Sequence, residues 1–429
     1  MRNATNEDFE HLNEMSTQAR ARLDRVREKR ARLDFSVTKA QLVAQIRGEW
    51  PDFSDADLDR LIANGRIDWR VIDGEKRFLR NAVDSLRLYP AEVPGLCCPP
   101  ADRTAQLAVL DEMREKGHAT RRIRLRASIR ANDDVSLNAD TPVMAWLPVP
   151  TGPQVADVRI LDATPGVLVA PADAPQRTAF WDVRGVREFH VEYDYLIRAP
   201  YVDLWADKPA AVPSEPRFSP APDPTSADLA QQEPHVVFTP YLRELADQLF
   251  AGIPVDNQLA RARAAYDWVT TNVDYRFQPA YLLLDSIADY AAQGRRADCG
   301  VFAILFMTLC RLGGVPARWQ SGLYATPTRV GNHDWAMFWV DGMGWLWADC
   351  SFGSAARREG DEARRRFYFG NIGPWRMPAN HEFFSQLAPA DPALRNDPFD
   401  SQLGEMCVGG RGLTSYDFTC ERTAEFLPL

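Results

Sequence analysis

The stretch RRADCGVFAILFMTLCRLGGVPARWQSGLYATPTRVGNHDWAMFWVDGMGWLWADCSFG, Arg295 to Gly353, decides how the chain is read. It opens with a cysteine at the head of an apolar run. Asp298 suits an N-cap and Cys299 falls in the first turn. Val301, Phe302, Ile304, Leu305, Phe306 and Leu309 continue the helix until Gly313 and Gly314 end it ahead of Pro316. A helix apolar on nearly every face is a buried one. A thiol in its first turn lies at the positive end of the helix dipole, which favours thiolate over thiol. Cys299 is therefore expected to have a lowered pKa and to serve as a nucleophile.

Beyond Pro316 the chain reads as β-structure in three runs: Ala317 to Tyr324, His333 to Val340 and Gly344 to Asp349. The tetrad DGMG at Asp341 to Gly344 predicts a hairpin between the last two. In the second run His333, Trp335, Met337 and Trp339 point to one face, and in the third Trp345, Trp347 and Asp349 share a face. Antiparallel pairing brings His333, at one strand's start, beside Asp349, at its partner's end. A carboxylate beside a histidine fixes the tautomer, and the ring can then take the thiol proton.

Taken singly, each residue also has an ordinary reading: an inert core cysteine, a satisfied histidine, a turn-forming aspartate. Zinc is the other reading of Cys, His and Asp together. No CxxC or HxxxH spacing accompanies them, and no metal or organic cofactor is implied.

The order and context resemble the transglutaminase-like superfamily. The pieces that carry the resemblance are DCGVFA (Asp298 to Ala303), LCRLGGVPAR (Leu309 to Arg318), HDWAMFWV (His333 to Val340) and GWLWADCSFG (Gly344 to Gly353). The likeness spans roughly residues 235 to 375 and includes an upstream helix ending in WVxxNVxY. It implies a papain-like core with Cys299 as nucleophile, His333 as base and Asp349 as orienter. Many relatives carry an acidic residue two places after the HxW tryptophan, where this chain has Met337, so the resemblance does not carry a substrate with it.

At 429 residues the chain has room for two or three domains. A net charge of -9 argues against a nucleic-acid or anionic-membrane binder. No apolar run is long enough to span a bilayer. The first residues show no apolar signal core, and seven cysteines are an odd number without framework spacing; both point to reduced thiols and a cytoplasmic setting.

In chain order, residues 1–115 read as a helical N-terminal region. A charged helix over 6 to 34 has a stripe of Phe9, Leu12, Met15, Ala19, Leu23 and Val26. Short helices come next at Thr38 to Ile46 and Ser54 to Asn64, then a small hairpin within Ile67 to Phe78. Residues 116–205 carry short strands punctuated by Pro and Gly, as in an antiparallel sandwich-like module. Residues 206–234 hold seven prolines and read as a linker or surface strap. Residues 235–380 form the core, entered through helices at Pro240 to Phe250 and Asn257 to Asn272. Residues 381–429 are a C-terminal extension with one terminal strand, Leu413 to Thr419. The class is α+β.

Such a site attacks a peptide-like or modified amide and passes through a thioester, and water as acceptor gives hydrolysis. Transfer to an amine, removal of a glycan from an amide, and a non-catalytic binding module are the alternatives. The backbone N–H of Cys299 would be one oxyanion donor. Tyr281 and Gln278 are considered for the second, though a core tyrosine and a surface glutamine account for them better. The arginines at 357, 358, 364, 365 and 366 read as a solvated helix face, with substrate-anion binding as the other reading.

Overall fold

The computed structural model describes residues 6–98, 102–206, 221–391, 393, 395 and 402–429. The chain divides into two units, Met1–Ala101 with Arg276–Leu284, and Asp102–Tyr275 with Asp285–Leu429. The first begins with the helix Asn6–Asp34. The side chains of Phe9, Leu12, Met15 and Ala19, four of the predicted stripe, lie outside the described residues. Helix Lys39–Arg47 starts from a capping box between Thr38 and Gln41, and Asp55–Ala63 from one between Ser54 and Asp57, so backbone donors at both starts are satisfied. The hairpin Trp69–Ile72 with Glu75–Phe78 turns at Asp73 and Gly74, both at positive φ. Leu42, Ile46, Leu58, Leu61 and Phe78 form this unit's core.

In the second unit, long antiparallel strands build two sheets. His118–Ala131 pairs with Glu188–Pro200, which also pairs with Val155–Ala163; Pro142–Pro148 pairs with Thr178–Arg184. Alternate inward residues, among them Ile123, Leu125, Ile129, Val143, Ala145, Trp181, Val191 and Tyr193, share one core. Solvent-side positions carry cross-strand ion pairs such as Arg124 with Asp194, 2.9 Å apart.

The tail differs from its expected form. In place of a strand at Leu413 to Thr419, it supplies Glu405–Val408, which pairs with Pro142–Pro148, the short Arg411–Gly412, and Phe418–Leu427, which pairs with His118–Ala131 along its whole length. Both sheets are thus completed by residues beyond 400. A helix that the sequence did not single out, Thr104–Lys116, ends at Gly117 with φ of 75°.

The third sheet has five strands in the order Phe369–Gly370, Gly344–Ala348, Val330–Val340, Ala317–Ala325 and Arg376–Asn380. The hairpin at Asp341 to Gly344 forms as expected, with Gly342 and Gly344 at positive φ. Helix Cys299–Leu312 packs on this sheet; Phe306 meets Phe338 edge-on at 5.8 Å. Every residue from Gly300 to Arg311 is buried, which its uniformly apolar sequence required. Of the proline-rich stretch, 207–220 lies outside the described residues. The part after it lies against the sheet: Trp345 Nε1 donates to Pro222 O at 2.8 Å, and Arg318 Nε pairs with Asp228 at 2.6 Å.

Candidate active site

Asp298 caps the Cys299 helix by accepting from the Val301 N–H at 3.1 Å, which places the sulfur at the first turn. His333 lies in the strand Val330–Val340, opposite Gly322. A Cβ at Gly322 would lie 2.0 Å from the Met377 carbonyl oxygen, so only glycine lets the strand carrying Arg376 approach here. Asp349 comes directly after the hairpin partner strand and caps the helix Cys350–Arg358.

His333 Nε2 and Asp349 Oδ2 are 2.7 Å apart, and both residues are buried. An ionised carboxylate only accepts, so the proton on this bond belongs to Nε2, and in the neutral ring Nδ1 is the basic nitrogen. Asp349 is fully satisfied. Its Oδ1 accepts from Phe352 N and Ser351 Oγ, each at 3.0 Å; its Oδ2 also accepts from Arg376 Nε at 2.8 Å and Nη2 at 2.6 Å. Burial would raise its pKa, but His333 and Arg376 together hold the carboxyl well below the usual carboxylate range. The Arg376 guanidinium is itself boxed by the rings of Phe352, Tyr368 and Tyr324, at 4.5, 5.1 and 5.2 Å.

Cys299 is held differently. Its thiol donates to Asp334 Oδ2 at 3.1 Å, and no hydrogen bond joins it to His333 among the described residues. Burial, then the carboxylates of Asp334 and Asp298, push the thiol pKa well above its ordinary value. The lowered pKa expected from the helix dipole is corrected by this: two carboxylates and desolvation outweigh a partial charge at a helix end. Gln402 Nε2 in turn donates to Asp334 Oδ1 and, at 2.8 Å, to the His333 carbonyl.

Arg376, Asp334 and Gln402 are the residues that sequence reasoning missed. Only Asp334 had a signal, as the middle residue of HDW. Behind His333, Trp335 Nε1 and Trp347 Nε1 donate to one atom, Gln320 Oε1, at 2.6 and 3.1 Å, and Gln154 Nε2 donates there too at 3.0 Å. Tyr281 and Gln278 belong to the first unit, where Gln278 Nε2 donates to Arg276 O at 3.0 Å. The arginine cluster is neither a solvated face throughout nor an open anion site. Arg364 pairs with Glu359 at 2.6 Å, Arg365 with Asp267 at 2.7 Å and Arg366 with Glu362 at 3.0 Å, the first two arginines largely buried.

Among the described residues, no group of His, Cys, Asp and Glu has the arrangement of a metal site, and no helix is long and apolar enough to cross a membrane. None of the seven cysteines is in a disulfide.

No curated protein matches the chain. Among solved structures, a candidate cysteine protease from Cytophaga hutchinsonii aligns over 73% of this chain and 93% of its own, at 14% identity and a TM-score of 0.44. The periplasmic domain of TgpA from Pseudomonas aeruginosa, bound to ethylmercury, aligns over 58% of this chain and 96% of its own, at 16% identity and a TM-score of 0.30. The model of the transglutaminase-like superfamily matches residues 243–350, a span that holds Cys299, His333 and Asp349. The chain is α+β, and its segment 243–350 is a domain of the transglutaminase-like superfamily.

Proposed function

We propose that the protein is a cysteine-dependent amide hydrolase in which Cys299 is the nucleophile, His333 the proton carrier and Asp349 its orienter. The observation that carries this reading is the buried 2.7 Å bond from His333 Nε2 to Asp349, on the strand whose next residue touches the Cys299 sulfur. With Nε2 engaged, Nδ1 takes the thiol proton as sulfur attacks the amide carbonyl. The oxyanion of the tetrahedral intermediate is met by the Cys299 backbone N–H, which has no intrahelical acceptor at the first turn. His333 then protonates the leaving amine. Water, giving its proton to the same nitrogen, cleaves the thioester and restores the thiol. Arg376 neutralises Asp349 in place, so the pair does not depend on bulk solvent for charge balance.

A panel of amides tests this reading: an N-blocked dipeptide, a glutaminyl peptide, an isopeptide and an asparagine-linked glycopeptide, each monitored by intact-mass detection of an acyl adduct on Cys299. The expected result is an adduct and amine release with one class, both lost in Cys299→Ala and strongly reduced in His333→Ala. Adding a primary amine distinguishes transfer from hydrolysis by the product formed. Amine release that survives Cys299→Ala would overturn the assignment.

A further inference from the structure

The thiol proton of Cys299 has two candidate acceptors nearby in the chain, and the structure directs its hydrogen bond to Asp334. The sulfur donates to Asp334 Oδ2 at 3.1 Å, within the reach of a hydrogen bond to sulfur. A neutral thiol can make that bond and a thiolate cannot, since a carboxylate has no proton to offer in return. Asp334 is 5% exposed and its second oxygen is taken by Gln402 Nε2, so the carboxylate is not at liberty to swing into solvent. Gln402 is 6% exposed and also grips the His333 carbonyl at 2.8 Å, which ties the glutamine to two consecutive residues of the strand.

Behind Gln402 stands the tail. Its carbonyl accepts from Arg422 Nη1 at 3.2 Å, and the next residue's carbonyl, that of Leu403, accepts from Cys420 Sγ at 2.9 Å. Arg422 and Cys420 belong to Phe418–Leu427, the strand that pairs with His118–Ala131. A chain of contacts thus runs from the sandwich through Gln402 and Asp334 to the sulfur. The other titratable groups bearing on Cys299 are Asp298 at the head of its own helix and Tyr275, whose ring stacks on Phe302 and whose hydroxyl reaches the sulfur. Parallel pairing of Tyr275 with Ala297 fixes that tyrosine beside the residue two places before the cysteine. His333 is engaged with Asp349 through its ring and with Gln402 only through its backbone.

We infer that Asp334, held by Gln402, is a positioning residue that keeps the proton on Cys299 in the resting protein and so withholds it from His333. This rests on the proposed role of Cys299 as nucleophile and adds a control on it. Turnover then requires the Asp334 to sulfur bond to open, either as substrate enters or as the segment bearing Gln402 shifts. The same geometry makes Asp334 the alternative proton acceptor, and the two roles have opposite signatures: a residue that withholds the proton makes the thiolate scarcer, whereas a base makes it commoner.

The test is alkylation of the full chain by iodoacetamide from pH 5 to 11, read per cysteine by mass spectrometry, in wild type, Asp334→Asn and Gln402→Ala, with thermal melts to establish folding. In wild type the Cys299 midpoint should lie above that of exposed Cys97. In Asp334→Asn it should fall by at least about one pH unit, equivalent to roughly tenfold more thiolate at neutral pH. Gln402→Ala leaves the carboxylate present and only loosens it, so its midpoint should fall less, and it serves if Asp334→Asn does not fold. A midpoint that stays or rises in a folded variant overturns the inference, and lower alkylation at neutral pH in Asp334→Asn would mark Asp334 as the base. The two readings fail separately. Shifted midpoints with no amide turned over would sink the hydrolase and leave the proton-withholding role; turnover with unshifted midpoints would do the reverse.

Discussion

The two halves of the site are built on opposite principles. On the histidine side, every lone pair of a buried carboxylate is used. Asp349 accepts from His333, Arg376, Ser351 and Phe352, and an arginine of opposite charge is packed against it. On the cysteine side, a thiol sits between two carboxylates with no cation bonded to it among the described residues, and its own proton is the link to Asp334. Under the proposed mechanism, the first half is preorganised in the charged form that the chemistry uses. The second is preorganised in the form that catalysis must leave. In that mechanism, pre-set ionisation at one end and withheld ionisation at the other allow a nucleophilic thiol to be stored beside its base without being armed.

The largest expected effect tests the first half. Asp349→Asn preserves shape but removes the charge and offers the wrong hydrogen-bonding groups to Nε2, so turnover should fall by about 10⁴-fold with the fold intact, as for other orienting aspartates. A loss below tenfold would mean that Arg376 and the strand already orient the ring unaided. Arg376→Met comes next. Breaking a buried pair from one side leaves an uncompensated carboxylate, and chemical denaturation should show a loss of about 3–5 kcal/mol. If stability is unchanged, Asp349 has taken up a proton, and the variant's turnover should collapse with it.

The third expectation concerns pH. His381, whose Nδ1 lies 3.4 Å from the Gln320 amide behind His333, is pushed down to about 4, mainly by burial and then by Arg318. Between an ordinary 6.5 and about 4, the unfolded chain binds a proton there that the folded one refuses. Stability should therefore fall as pH drops through that window, by at most about 3 kcal/mol. His381→Gln should flatten the curve; an unaltered curve would remove His381 as its cause. Asp349 adds its own loss only at lower pH, below the ordinary value of 3.8, where the unfolded chain takes up a proton that the folded carboxyl, its pKa depressed, still refuses. The smallest effect is a control outside both halves. Arg366 pairs with Glu362 at the surface, and Arg366→Ala should change stability by under about 1 kcal/mol and leave turnover alone. A sharp drop in turnover would restore the substrate-anion reading of the cluster.

The sequence disclosed whatever local chemistry encodes. The Asp298 cap, the buried helix after it, the DGMG hairpin and the alternation of the Trp-rich strands all arise from patterns a few residues long. The approach of His333 to Asp349 was legible as well, because a hairpin fixes which positions face each other. The features that escaped notice depend on partners far along the chain. Arg376 stands 27 residues beyond Asp349 and Gln402 68 beyond Asp334, and nothing in GPWRMPAN or SQLGE names its partner. The last strand was missed because its alternation is faint: Phe418, Cys420, Arg422, Ala424 and Phe426 occupy one side, and only two of them are large and apolar. The thiol's direction was misjudged because the helix dipole is legible in one dimension, whereas Asp334 reaches the sulfur from another strand.

The pairing of Phe418–Leu427 with His118–Ala131 also sets an order of events in time. On the ribosome the earlier strand appears about 290 residues before its partner, roughly 15–60 s at about 5–20 residues per second. Within that interval Cys299 is made and its helix can form well before Gln402 follows near the end, and until Phe418–Leu427 emerges the sheet beside His118–Ala131 lacks its edge. The site's geometry is thus a late product of translation, finished only as the chain that restrains the thiol is itself delivered.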